Sequence, residues 1–121
     1  MTRVALVDDQ TLVRQGIKSL LELSPEIEVV AEASDGVEGL RLIADARPDV
    51  VLLDLRMPRL DGIGTLEALA KTGFFPPTLI LTTFDDDELV LKALRAGARG
   101  YLLKDVSLEQ LVEAIGTLAA G

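Results

Sequence analysis

Five short apolar runs, each followed by a segment with helical periodicity, most constrain the fold of this chain. The runs occupy residues 3–7, 27–33, 49–54, 78–82 and 99–103. After each run, apolar side chains recur every three or four residues, which is the spacing of one face of a helix. This alternation predicts an α/β domain with a parallel sheet that is covered by helices on both faces.

The ends of the runs are polar. Four of the runs lead directly into side chains that carry charge or a hydroxyl: Asp8, Asp9, Asp54, Thr82 and Lys104. Because the carboxyl ends of parallel strands meet at one edge of a sheet, where ligands of such folds bind, we expect these side chains to lie together. Three carboxylates, a hydroxyl and an ammonium suit a divalent cation and a phosphoryl group.

The carboxylates suggest a specific chemistry. Asp9 and Asp54 can each give one oxygen to a magnesium ion, and a carbonyl from the loop after Asp54 can give a third. Without a cation, two carboxylates about 4 Å apart repel each other by up to about 4 kcal/mol. A carboxylate on such a cation can act as a nucleophile and form an aspartyl phosphate. Lys104 and the Thr82 hydroxyl would then bind phosphoryl oxygens.

Composition excludes several classes of function. The 121 residues suffice for one domain, and the formal charge of −8 disfavours direct nucleic-acid binding. The chain has no cysteine and no histidine, which excludes disulfides, thiolate metal sites and Ser-His-Asp catalysis. No apolar run approaches the roughly 18 residues of a membrane helix, and the first residues do not form a signal peptide. We therefore expect a cytoplasmic protein without membrane contact.

Several motifs together resemble the receiver domain of bacterial two-component response regulators, from residue 3 to about residue 118. They are Val7-Asp8-Asp9, Leu53-Asp54, Met57-Pro58-Arg59-Leu60-Asp61-Gly62, Thr82-Thr83 and Gly100-Tyr101-Leu102-Leu103-Lys104. The stretch from residue 97 to residue 105 is similar to the NarL/FixJ/LuxR subfamily, which usually joins its receiver to a helix-turn-helix DNA-binding domain. The resemblance implies the flavodoxin-like, doubly wound sheet with strand order 2-1-3-4-5.

The resemblance also implies roles for individual residues. Asp54 would accept a phosphoryl group from a sensor histidine kinase. Magnesium would be bound by Asp9, Asp54 and the backbone carbonyl of Arg56, with Asp8 reaching the ion through water.

Three further residues would act after phosphorylation. Thr82 would be the switch hydroxyl, Lys104 would hold the phosphate, and Tyr101 occupies the position of an aromatic rotamer switch, although a merely half-buried aromatic is an equal alternative. Phosphorylation would change dimerisation and, through an output domain, transcription.

The expected domain organisation is a single receiver domain over residues 1–121, with the DNA-binding output domain absent from this sequence. The chain is then either an excised fragment or a stand-alone receiver. It would catalyse only its own phosphorylation and slow dephosphorylation, as a signalling switch rather than a metabolic enzyme, and would contact DNA only through the output domain.

Two departures from the usual family pattern involve three positions. Asp105 stands where many receivers have a proline with a cis bond, so a trans bond is expected after Lys104. Arg56 and Phe84 lie two residues after Asp54 and Thr82, at positions that tune dephosphorylation. Neither side chain offers a carboxylate or amide to position water, which predicts slow hydrolysis.

Other interpretations remain open at this point. A phosphatase of the haloacid dehalogenase type also forms an aspartyl phosphate, but it needs an Asp-x-Asp pair that this sequence lacks at Asp54. A phosphate-independent interaction module is a second alternative. The acidic stretch 85–88 is interpreted as a solvated helix start rather than a metal cluster. Phe74 and Phe75 are interpreted as loop packing, and Ser107 as a helix cap in a capping box with Gln110.

Overall fold

The computed structural model describes residues 1–83 and 86–121, and in these ranges five strands alternate with five helices. The strands are β1 (Thr2–Val7), β2 (Ile27–Ala33), β3 (Val50–Asp54), β4 (Thr78–Thr82) and β5 (Gly100–Leu103). The helices are α1 (Thr11–Glu22), α2 (Gly36–Ala46), α3 (Gly62–Thr72), α4 (Asp87–Arg95) and α5 (Leu108–Ala120). The predicted strands agree with these bounds to within one residue.

The five strands form one parallel sheet in the order β2-β1-β3-β4-β5, as the sequence predicted. This order confirms β3 as the centre of the sheet, and all five of its residues are buried. The register brings the strand ends level. Val7 is paired with Leu53, and Asp54 is paired with Leu81, so the residues that follow β1 and β4 lie beside the end of β3.

Alternate residues of the strands supply two separate apolar layers, one on each face of the sheet. One layer joins Val51 and Leu53 to buried side chains of α2, α3 and α4. The other joins Val50 and Leu52 to buried side chains of α1 and α5. The prediction of helices on both faces is therefore confirmed, and the strand ends are left as the place where polar groups can gather.

Two features stabilise the ends of helices. Gly73 follows α3 with φ of 82°, a left-handed conformation in which a side chain is strained. Ser107 and Gln110 form the predicted capping box at the start of α5. Phe74 and Phe75 pack against the apolar layer under α2, α3 and α4, which confirms the loop-packing interpretation.

The start of α4 follows the segment that the structure does not describe. Phe84 and Asp85, which entered two of the sequence predictions, lie outside the described residues. The helix begins at Asp87, and Asp87 and Glu88 are exposed in its first turn, where carboxylates complement the helix dipole. Peptide bonds throughout the described ranges are trans, including the bond after Lys104, as predicted. Within those ranges no helix is both long enough and apolar enough to cross a bilayer.

Candidate functional site

Three carboxylates meet at the ends of β1 and β3. One oxygen each of Asp8, Asp9 and Asp54 lies within 4.8 Å of the others. Asp8 and Asp54 are buried, whereas Asp9 is exposed. Because β1 and β3 are paired in parallel with Val7 level with Leu53, the residues that follow them fall side by side. The predicted gathering of these carboxylates is confirmed.

The ammonium of Lys104 lies among the carboxylates. Its Nζ is 3.2 Å from Asp8 Oδ2 and 3.4 Å from Asp54 Oδ2, and it donates a hydrogen bond of 2.7 Å to Gln10 Oε1. The backbone N–H of Lys104 donates to the carbonyl oxygen of Thr82 at 2.9 Å, which fixes the loop after β5 beside the end of β4. The Lys104 side chain is therefore placed to balance part of the negative charge of the carboxylates and to pair with an anion bound at Asp54.

The acidity of Asp54 is strongly perturbed. Burial raises its pKa from the ordinary 3.8 to about 6, and repulsion from Asp8 and, to a smaller extent, Asp9 acts in the same direction. The charge and hydrogen bond of Lys104 oppose these effects without cancelling them. Near neutral pH the carboxylate is still mostly ionised, so it remains available as a ligand or nucleophile.

One buried oxygen fits a cation. Asp8 Oδ2 has no hydrogen-bond partner among the residues that the structure describes, although the Lys104 ammonium lies nearby. A buried carboxylate oxygen without such a partner is costly. Together with Asp9 and Asp54 it forms an oxygen-rich cluster of the kind that magnesium binds through few protein oxygens and several waters. The residues present therefore fit a magnesium ion.

The loop after β3 folds back onto the strand end. The N–H of Gly62 donates to the Leu55 carbonyl oxygen at 2.9 Å. A Cβ atom at position 62 would lie 2.6 Å from the Asp54 carbonyl oxygen and 2.7 Å from Leu55 Cα. Glycine is thus required for this close approach. Arg56, in the same loop, lines one open pocket with Asp54, Asp9, Gln10 and Lys104.

Thr82 contacts a residue that the sequence interpretation did not place in the site. Its hydroxyl donates to Asp86 Oδ2 at 2.9 Å, and the Thr83 hydroxyl donates to the same oxygen at 3.0 Å. The Arg56 guanidinium donates to the other oxygen of Asp86. Burial disfavours the charged form of Asp86, but the hydrogen bonds from Thr82, Arg56 and Thr83 outweigh this effect and hold its pKa below the ordinary value.

The interpretation of residues 85–88 as a solvated helix start is therefore wrong for Asp86. Its residue surface is only 5% exposed. The prediction failed because the partner of Asp86 is Arg56, which lies 30 residues away in the sequence on another loop. No local sequence pattern distinguishes Asp86 from the acids beside it. The interpretation holds for Asp87 and Glu88. Gln10, which binds Lys104, was likewise missed, because its contact spans 94 residues.

Tyr101 lies apart from the carboxylates. It is in the middle of the edge strand β5, paired with Ile80, and is 50% exposed. It lines a shallow surface groove with Gln110 and Glu113 of α5. The structure thus brings Asp8, Asp9, Asp54 and Lys104 together and joins Thr82 to Lys104 through a backbone hydrogen bond. The Thr82 side chain contacts Asp86 instead, and Tyr101 lies on the surface.

The strand order, the carboxylate cluster and the lysine define a class of signalling domain. The family model described as the response regulator receiver domain matches residues 4–116, and the chain belongs to that family. This agrees with the resemblance identified from the motifs and favours a receiver over a phosphatase of the haloacid dehalogenase type.

Two curated relatives are transcriptional regulators. The chain is 42% identical over 121 residues to the transcriptional regulatory protein LiaR of Bacillus subtilis, covering 100% of this chain and 57% of that protein. It is 40% identical over 118 residues to the nitrate/nitrite response regulator protein NarL of Escherichia coli K12, covering 98% of this chain and 55% of that protein. The chain thus spans about half the length of these relatives.

Solved structures agree with the fold and the subfamily. The receiver domain of the response regulator NarL from Mycobacterium tuberculosis, itself described as putative, superposes with a TM-score of 0.93 at 39% identity, covering 99% of this chain and 97% of that one. A DNA-binding response regulator of the LuxR family from Staphylococcus aureus gives a TM-score of 0.91 at 31% identity, covering 98% of this chain and 99% of that one. The predicted similarity to the NarL/LuxR type is confirmed.

Proposed function

We propose that this domain is a phosphorylation-activated switch in which Asp54 accepts a phosphoryl group from a sensor histidine kinase with the help of Mg²⁺. The observation that carries the proposal is the position of the Lys104 ammonium, which lies 3.2 Å from Asp8 and 3.4 Å from Asp54 inside a cluster of three carboxylates. Such a cluster has the charges needed to hold a cation and then a phosphoryl group.

Magnesium would be held by Asp9, Asp54 and the carbonyl oxygen of Arg56, with Asp8 acting through water. When bound, the ion neutralises charge on the phosphoryl oxygens and on the carboxylates. The buried Asp8 Oδ2, which lacks a hydrogen-bond partner among the described residues, supports this assignment.

The transfer itself needs an ionised Asp54. A carboxylate oxygen of Asp54 attacks phosphorus, the bond from phosphorus to the histidine nitrogen of the kinase breaks, and that nitrogen keeps the electron pair. With a pKa of about 6, roughly nine-tenths of Asp54 is ionised at pH 7. The Lys104 ammonium then pairs with a phosphoryl oxygen, and the Thr82 hydroxyl donates to another.

The output is a change in dimerisation. Tyr101 changes its rotamer together with the movement of the Thr82 hydroxyl. In our proposal residues 1–121 form one receiver domain of a cytoplasmic protein, and transcription is controlled through a separate DNA-binding domain, since the charge of −8 opposes direct DNA contact. Dephosphorylation is slow, because the Arg56 side chain is engaged by Asp86 and offers no group that positions water. A phosphorylated half-life of seconds would contradict this last point.

The test is a mass measurement after incubation with acetyl phosphate and Mg²⁺. We expect the wild type and the control Asp45→Asn, an exposed acid on α2, to gain one phosphoryl group, and Asp54→Asn to gain none. No adduct on the wild type would favour a phosphate-independent interaction module. Continuous turnover of a phosphate ester would instead indicate a phosphatase.

A further inference from the structure

Asp86 gathers three hydrogen-bond donors in a buried position at the start of α4. The Thr82 and Thr83 hydroxyls donate at 2.9 and 3.0 Å, and the Arg56 guanidinium also donates to it. The Asp86 side chain is 4% exposed, whereas the Arg56 side chain is 67% exposed. A buried, ionised acceptor held by an arginine is among the stronger hydrogen-bond acceptors in proteins.

The Thr82 hydroxyl has a single proton. While it donates that proton to Asp86, it cannot donate it to a phosphoryl oxygen on Asp54. Both acceptors compete for one donor. The register places Thr82 on the strand beside Asp54, since Thr82 directly follows Leu81, the residue paired with Asp54.

We propose that Asp86 is a positioning residue that competes with the phosphoryl group on Asp54 for the Thr82 hydroxyl, and that Arg56 holds Asp86 in place for this competition. The inference rests on the proposed phosphoryl switch. It assigns the Arg56 side chain a role beyond its backbone carbonyl, namely to link the loop after Asp54 to the start of α4.

The remaining contacts of Asp86 make the competition reversible. When Thr82 leaves, Asp86 keeps its ion pair with Arg56 and its hydrogen bond from Thr83, so no buried charge is left without a partner. The loss is therefore one hydrogen bond to a charged acceptor, which corresponds to roughly a tenfold change in an equilibrium. The Asp86 carbonyl oxygen also accepts from the Val90 N–H at 2.9 Å, so any shift of Asp86 is passed to the first turn of α4.

The experiment measures the affinity for beryllium fluoride, a stable phosphoryl mimic, in the presence of Mg²⁺, from the titration of backbone NMR signals. Asp86→Ala should bind about ten times more tightly than the wild type, because Thr82 loses its competing carboxylate and keeps only a long contact of 3.4 Å with the Thr83 carbonyl oxygen. Within the described residues the Asp86 carboxylate accepts no cap hydrogen bond from α4, so the substitution removes no helix cap. Asp86→Asn, which keeps the shape and a weaker acceptor, should show a smaller gain in the same direction.

Three companion variants separate competition from a general charge effect. In a Thr82→Ala background the gain from Asp86→Ala should disappear, whereas in a Thr82→Ser background, which keeps the hydroxyl, it should persist. Asp87→Ala removes an equal charge from the next, exposed residue and should leave the affinity within twofold of the wild type. The methyl signal of Thr82 should shift on Asp86→Ala before any beryllium fluoride is added.

Several results would overturn the proposal. One is an unchanged or weaker affinity of both Asp86 variants, and another is an equal gain with and without the Thr82 hydroxyl. Absence of any binding by the wild type, together with absence of a phosphoryl adduct from acetyl phosphate, would instead refute the phosphoryl switch itself. A normal wild-type response with no effect of Asp86 would refute only the competition.

Discussion

Removing the charge of Asp54 should stabilise the domain. The Asp54 side chain is 9% exposed, and its pKa rises from 3.8 to about 6 through burial and through repulsion by Asp8. A difference of two pKa units corresponds to about 3 kcal/mol at pH 8, which screening by solvent at this partly accessible pocket reduces to about 1–2 kcal/mol. Asp54→Asn, which keeps the shape without the charge, should gain that amount.

The gain should depend on pH with a defined sign. Because the folded pKa lies above the unfolded value, the folded state keeps a proton between pH 3.8 and about 6 that the unfolded chain has already released. The charge of Asp54 therefore destabilises the wild type progressively as pH rises through this window, and fully above it. At pH 4.5 the advantage of Asp54→Asn should shrink to roughly a third of its value at pH 8.

Urea unfolding at pH 4.5 and pH 8 measures the stability difference between Asp54→Asn and the wild type. EDTA is included to remove any cation that would offset the repulsion between the carboxylates. At pH 8 the melting temperature should also rise by several degrees. Asp45→Asn, an exposed acid on α2, is the control and should change stability by less than about 0.5 kcal/mol at either pH. A gain that is equal at both pH values, or a loss at pH 8, would refute the burial and repulsion argument.

Two further predictions concern the framework that positions the site. Ser107→Ala removes the hydroxyl that accepts from the Gln110 N–H at 3.1 Å, so urea unfolding should show a free energy of unfolding lower by about 1 kcal/mol. The control Ser34→Ala, at an exposed serine, should leave the free energy of unfolding nearly unchanged. Gly62→Ala forces a Cβ to within 2.6 Å of the Asp54 carbonyl oxygen and should cost about 1–3 kcal/mol and weaken the acetyl phosphate reaction. Gly116→Ala, where a Cβ meets none of the described residues within 4 Å, should not destabilise α5, and an equal loss there would contradict the steric argument.

The fold was predictable because its signals are local. Each strand is a run of apolar residues, and the edge strand β2 shows itself by Glu28 and Glu32 within such a run. The ends of helices are marked by single residues such as Gly73 and Ser107, whose conformations follow from their own chemistry. Strand order required the family resemblance, since the parallel alternation alone leaves more than one topology.

The sequence predicted the site residues that the sheet topology alone brings together. It did not predict the residues whose position depends on a side-chain pair between distant loops. Asp54 ends a strand, and Asp8, Asp9 and Lys104 directly follow strands, so a parallel sheet places all four at one edge regardless of loop conformation. The position of Asp86 depends instead on an arginine in another loop, which competes with solvent for the carboxylate. No spacing rule encodes such a pair, and consecutive acids at a helix start are usually solvated.

The charges of the site impose an order on its binding events. Among the residues that the structure describes, three carboxylates and the ammonium of Lys104 leave two negative charges without compensation, because the Arg56 guanidinium is already paired with Asp86. In the proposed switch an incoming phosphoryl group would meet this excess, so we expect a divalent cation to enter first. The ammonium of Lys104 would then be free to pair with phosphoryl oxygens, since a bound cation would neutralise the carboxylates. In the proposed switch we expect the Thr82 hydroxyl to move last, because it leaves the Asp86 carboxylate once a phosphoryl acceptor is present at Asp54.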